Sequence, residues 1–174
     1  MTPFAVDANA IHAFQQERIS KREGDAHAAI SGIMAAHCVA LDNERLCYQE
    51  WLDCAGGKFP FALADWVADQ AATGKVRFFA LAPNTCRKPL LNQGLPPKDH
   101  KWIRLAMGSG GNRLVSGDID FFDPKQKNAS EAKKAGIRAC GKGPLSKFLE
   151  RTYGVRVMCL EHVEDALEEL NGEA

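Results

Sequence analysis

Apolar and polar positions follow two different periods along this chain, and the switch between them predicts an α/β fold. Five short apolar runs have the length of buried strands: Phe4 to Val6, His37 to Leu41, Val76 to Leu81, Arg113 to Ser116 and Val155 to Leu160. Between them apolar residues recur every three or four positions, as at Ala10, Ile11 and Phe14, and again at Ala26, Ala29, Ile30, Ile33 and Met34. Helices are therefore expected over 8–18 and 25–36, from a cap at Asp42 or Asn43 to about Cys54, and over 61–72, 97–107 and 144–153. An acidic amphipathic helix is expected over 161–171. Gly56-Gly57 is the expected stop of the third helix. The segment from Ala82 to Pro97 carries Pro83, Pro89, Pro96 and Pro97 and reads as a long loop, and 123–143 is a polar stretch of weak periodicity. Strands separated by helices predict a mostly parallel central sheet with helices on both faces. No repeat or linker divides the chain, so 1–174 is read as one domain.

Composition narrows the class without naming a chemistry. Of 174 residues, 45% are hydrophobic and 25% charged, as in a soluble globular protein. Lys plus Arg equals Asp plus Glu at 22 each, so global charge does not advertise a nucleic-acid partner. No apolar run reaches the roughly eighteen residues a membrane span needs, and the opening MTPFAVDANAI reads as a strand and not as a signal peptide. The six cysteines form no CxxC pair and show no Cys/His spacing suited to zinc. They are read as reduced thiols of a cytoplasmic protein.

Four acids break the apolar pattern. Asp7 and Asp118 directly follow strand runs, where ligands of parallel sheets bind, although each could simply cap the turn that follows. Glu50 shares its predicted helix face with Leu46, Cys47 and Cys54, and a glutamate in an apolar stripe needs a partner or a metal unless its carboxylate reaches water. Asp99 faces Trp102, Ile103 and Ala106, in a first turn where a carboxylate also complements the helix dipole. Four carboxylates about 6 Å apart repel by roughly 17 kcal/mol in total at an effective dielectric of about 20. That upper bound exceeds the whole stability of a typical domain, about 5–15 kcal/mol. A cluster of this kind persists with a cation, and all-oxygen ligands favour Mg²⁺ or Mn²⁺ over zinc.

The same residues carry a family resemblance. VDANAI is similar to the first-strand motif of PIN-domain nucleases, an apolar run followed by Asp, any residue and Asn, here Asp7 and Asn9. CYQEWL resembles the second acidic motif with Glu50, LPPKDHKWIRLA the third with Asp99, and LVSGDIDFF the fourth with Ser116, Asp118 and Asp120. The likeness covers about residues 4–123, and the strand near 155–160 would complete the fold. It implies a PIN-like three-layer sandwich and a Mg²⁺- or Mn²⁺-dependent endoribonuclease akin to the toxins of toxin–antitoxin pairs. Asp7, Glu50, Asp99 and Asp118 would be catalytic metal ligands, Asp120 a fifth metal-binding acid, and Asn9 and Ser116 would orient carboxylates or water from behind.

Two further stretches bear on partners. Lys125, Lys127, Lys133 and Lys134 open a basic segment just after the fourth motif, which either attracts RNA phosphates or is an ordinary solvated face. From Glu161 to Ala174 no Lys or Arg occurs, and Val163, Ala166, Leu167 and Leu170 form a stripe that docks on its own domain or serves an antitoxin or a homodimer. A non-catalytic PIN-like module that binds RNA or protein is the alternative function. A haloacid-dehalogenase-like phosphatase is disfavoured, because its DxD signature should follow the first strand, where Asn9 holds the second acidic position.

Overall fold

The chain alternates strands and helices around one sheet; the computed structural model describes residues 1–54 and 60–173. The order is β1 (Pro3–Val6), α1 (Ala8–Ile19), α2 (Asp25–Ala36), β2 (Cys38–Asp42), α3 (Leu46–Cys54), α4 (Pro60–Ala72) and β3 (Val76–Phe79). It continues with α5 (Arg87–Asn92), α6 (His100–Gly108), β4 (Arg113–Val115), α7 (Glu131–Arg138), α8 (Pro144–Tyr153), β5 (Arg156–Met158) and α9 (Val163–Gly172). The five strands pair in the order β3-β2-β1-β4-β5, and every pairing is parallel. The protein is thus α/β with a single all-parallel sheet, an arrangement compatible with a three-layer sandwich.

Local chemistry explains the elements. β2 is buried at every position and β1 at every position after Pro3, as central parallel strands must be. β3 is an edge, with Arg77 and Phe78 exposed. Asp42 starts α3 by accepting the backbone N–H groups of Leu46 (2.7 Å) and Cys47 (2.8 Å). α6 lies over β1, β2 and β4 and buries Trp102, Ile103, Leu105 and Ala106. α8 opens with Pro144 and ends at Gly154 in the left-handed region, φ 69°. Gly143 admits no side chain, because a Cβ there would meet the Phe122 carbonyl oxygen at 2.1 Å.

The structure departs most from the pattern-based expectation in three places. The Ala82–Pro97 segment is not wholly loop but carries α5; Pro89 falls in its first turn, where a missing N–H costs nothing, and Leu90 is buried. The polar stretch contains α7, started by Ser130, which accepts from the Lys133 N–H at 3.2 Å. No α7 side chain is fully buried, so no apolar stripe marked it. The last strand ends at Met158, and Leu160–His162 forms a 3₁₀ turn before α9. The expected Gly56-Gly57 stop lies outside the described residues. Cys38, Cys47, Cys54, Cys86 and Cys159 are free thiols, and the side chain of Cys140 lies outside the described set. Among the described residues no helix is long and apolar enough to cross a membrane.

Strand order decides where a site can form. From β1 the chain builds outward through β2 to β3, then returns to build β4 and β5 on the other side. The crevice between the carboxyl ends of β1 and β4 is the switch point of the sheet, where the flanking connections diverge.

Candidate metal centre

Asp7 leaves β1 at that switch point. Its backbone N–H donates to the Val115 carbonyl of β4 at 3.0 Å, which extends the pairing one residue past the strand. Its Oδ1 accepts from the Ala10 N–H at 2.8 Å, so it also caps α1. Its Oδ2 accepts a short hydrogen bond from the hydroxyl of Ser116, which is fully buried. Ser116 Oγ accepts from the Asp118 N–H (3.0 Å), and Asp118 Oδ1 accepts from the Asp120 N–H (2.9 Å). One chain of hydrogen bonds therefore ties the end of β1 to the segment after β4.

Glu50 arrives from α3. The neighbouring Trp51 indole donates to the Val6 carbonyl at 2.8 Å and fastens this helix to the end of β1. Glu50 itself is gripped by α6: its Oε2 accepts from the Trp102 indole at 2.7 Å and its Oε1 from the Lys101 ammonium at 3.1 Å. The apolar stripe expected around Glu50 is incomplete. Cys47 is buried, but Leu46 is 46% exposed, and Glu50 is half-buried.

Asp99 ends the 3₁₀ turn Pro97–Asp99 and occupies the cap position of α6, yet its side chain makes no capping bond. The expected complement to the helix start is therefore not a hydrogen-bonded cap. The turn is held by the buried His100, whose Nε2 lies 2.9 Å from the Leu95 carbonyl. Asp99 is only 7% exposed, and its Oδ2 is buried without a hydrogen-bond partner. Orphaned buried carboxylate oxygens are uncommon, because each forfeits the hydration it left behind.

Asp7, Glu50, Asp99 and Asp118 line one cleft of about 160 Å³, together with Asn9, Lys98, Trp102 and Phe121. All four sequence-predicted acids thus converge. No three of their oxygens lie within 4.8 Å of one another, so the cleft is wider than the grip of a single dehydrated ion.

The charges in this cleft are felt mutually. Burial raises the Asp7 carboxyl to about 7; the Ser116 and Ala10 hydrogen bonds oppose the rise, and Asp118 and Glu50 add to it. Burial likewise raises Asp99 to about 6, opposed by Lys98 and reinforced by Asp118 and Glu50. Protonation and the Lys101 pair relieve the repulsion when no cation is bound. A divalent cation would displace those protons.

The remaining predicted residues take distinct places. Ser116 stands behind Asp7 as expected. Asn9 lines the cleft and is exposed; no side-chain hydrogen bond joins it to the acids among the described residues. Asp120 is buried beside Asp118, outside the cleft lining, and its carboxyl is raised by burial and by Asp118. Lys127, Lys98 and Lys134 pull it the other way, and α7 packs on the turn Ile119–Phe121. The basic segment therefore flanks the acids, with Lys125, Lys127 and Lys133 exposed and Lys134 paired to Glu131 at 3.4 Å.

Three participants escaped the pattern: Lys98 at the cleft, and Lys101 and Trp102 on Glu50. Trp102 had a usable signal, because a buried indole N–H must find an acceptor. Comparison with family models, with curated proteins and with solved structures returns no match for this chain.

Proposed function

We propose that this chain is a PIN-like nuclease, an endoribonuclease that hydrolyses RNA phosphodiester bonds with Mg²⁺ or Mn²⁺ held by Asp7, Glu50, Asp99 and Asp118. The observation that carries the reading is the buried, unpartnered Asp99 Oδ2 in a cleft shared with three other acids. The donor set fits a hard cation, since every candidate ligand is a carboxylate oxygen. When bound, the cation supplies Lewis acidity toward a phosphate oxygen and lowers the pKa of a water. The protein's own residues do the positioning. Ser116 and the Ala10 N–H fix the Asp7 carboxylate, and Trp102 and Lys101 fix Glu50. Asp118 is held in register with Asp7 through Ser116. Lys98 at the cleft and the basic segment around α7 offer the positive charge that phosphates seek. An RNA substrate follows from this reading, and an antitoxin protein is the partner class that the resemblance suggests.

One observation favours the alternative of a non-catalytic module that binds RNA or protein: Lys101 already neutralises Glu50. Incubating labelled single-stranded RNA with the wild type, Asp99→Asn and Asp118→Asn in Mn²⁺ and in chelator separates the two. The nuclease reading expects cleavage by the wild type alone, and only with metal. RNA retention by all three proteins, without cleavage in either condition, would establish the binding module instead.

A further inference from the structure

We propose a second metal site of different chemistry, in which Cys159, Glu161 and His162 bind one zinc ion between β5 and α9. In sequence these residues read Cys-Leu-Glu-His, without the spacing that usually marks zinc. The 3₁₀ turn Leu160–His162 folds them together. Their ligating atoms all lie within 4.8 Å of one another, the only such trio of His, Cys, Asp or Glu among the described residues. The Cys159 sulfur sits 2.8 Å from His162 Nδ1. Donors around a tetrahedral zinc stand roughly 3.5 Å apart, given Zn–S and Zn–N bonds of about 2.3 and 2.0 Å. The sulfur and imidazole must open slightly and the farther donor must close, changes within reach of side-chain rotation because Glu161 is exposed and His162 half-buried.

Charge and space agree. Cys159 is only 3% exposed, so a net charge there would be costly. One thiolate and one carboxylate cancel a divalent ion. Binding deprotonates the thiol, whose sulfur electron pair forms the new bond while the proton leaves to solvent. A cavity of about 290 Å³ borders Cys159 and His162, with Arg138 and Arg156 also in its lining, and leaves room for a water as the fourth donor. Thiolate and imidazole select zinc over Mg²⁺, so this site does not compete with the all-oxygen cleft for its ion. It does not depend on the nuclease reading.

The test is a Co²⁺ titration of the full chain, reduced and stripped of metal, followed by absorbance. A thiolate-to-cobalt charge-transfer band should grow to saturation at one ion per chain in the wild type and in Asp99→Asn, and Zn²⁺ should abolish it. The band should vanish in Cys159→Ser and weaken by tenfold or more in apparent affinity in His162→Ala, about the size of effect that disturbing a metal's surroundings produces. Cys159 is buried and its replacement can unfold the chain, so His162→Ala, checked for native circular dichroism, carries the decision. No sulfur band in the wild type, or an unchanged titration in folded His162→Ala, overturns the site.

Discussion

Two adjacent strands end in nearly the same words and meet different fates. β1 ends Phe4-Ala5-Val6 with Asp7 directly after it, and β2 ends Val39-Ala40-Leu41-Asp42; an asparagine follows each aspartate within two residues. The strands are parallel neighbours, and both aspartates are buried. Asp42 spends both carboxylate oxygens on the first N–H groups of α3. Asp7 spends one oxygen on α1 and turns the other toward Ser116, in a cleft with three further acids. The difference lies across the sheet. β2 is flanked on its outer side by β3, whose end brings Phe79, whereas β1 is flanked by β4, whose end brings Ser116 and Asp118. A strand-end carboxylate becomes a candidate ligand when the next strand over supplies more oxygen, and a structural cap when it does not.

Paired substitutions give the largest expected contrast. Asp7→Asn should lower Mn²⁺-dependent RNA cleavage by more than ~100-fold, beyond the loss that residues behind a metal ligand produce. Asp42→Asn should instead cost about 2 kcal/mol of stability, because an amide cannot accept both N–H groups. Cleavage rates and urea unfolding of the two variants measure this, and indistinguishable variants would erase the contrast.

Stability against pH sharpens it. The folded Asp7 carboxyl stands at about 7, above its ordinary 3.8, so the folded state binds the proton more tightly than the unfolded chain. That contribution is fully present below pH 3.8 and is lost as pH rises to about 7. Asp99, raised to about 6, acts in the same direction. The metal-free protein should therefore lose about 2–4 kcal/mol from this source between pH 4 and 8, and Asp7→Asn should flatten much of the slope. Mn²⁺ affinity should rise over pH 6–8, since the cation competes with those protons. Calorimetric titrations at several pH values that show the reverse trend would contradict the cleft as described.

Smaller effects probe the surroundings. Lys101→Met removes the cation paired with Glu50, and Mn²⁺ should bind about threefold tighter, in keeping with the small energies of partly exposed pairs. Lys127→Gln and Lys134→Gln should each reduce the salt dependence of single-stranded RNA binding by about 0.7 in the logarithmic slope, with little change at the cleft. Fluorescence anisotropy at several salt concentrations reads this directly.

Much of the architecture was legible because burial period and strand length are local. The five strands, the helices α1 to α4, α6, α8 and α9, and the place of Asp7 at the end of β1 could be placed from pattern alone. α5 and α7 were not, one hidden behind prolines and the other lacking a buried face. The four acids were nameable singly, each with a structural explanation beside the functional one. That Asp99 makes no cap while Asp42 makes two bonds is invisible in one dimension, since both precede helices.

Composition and periodicity by themselves determined the class: strands buried on both faces, helices between them and acids at their ends, because side-chain burial follows the backbone repeat. Only tertiary structure decided which acids meet, since strand order placed β4 and not β3 beside β1. It also decided that Lys101 and Trp102 grip Glu50, and that Cys159, Glu161 and His162 gather in one turn. Electrostatic coupling and coordination depend on distances of a few ångströms between groups brought together by folding, and spacing along the chain does not encode those distances.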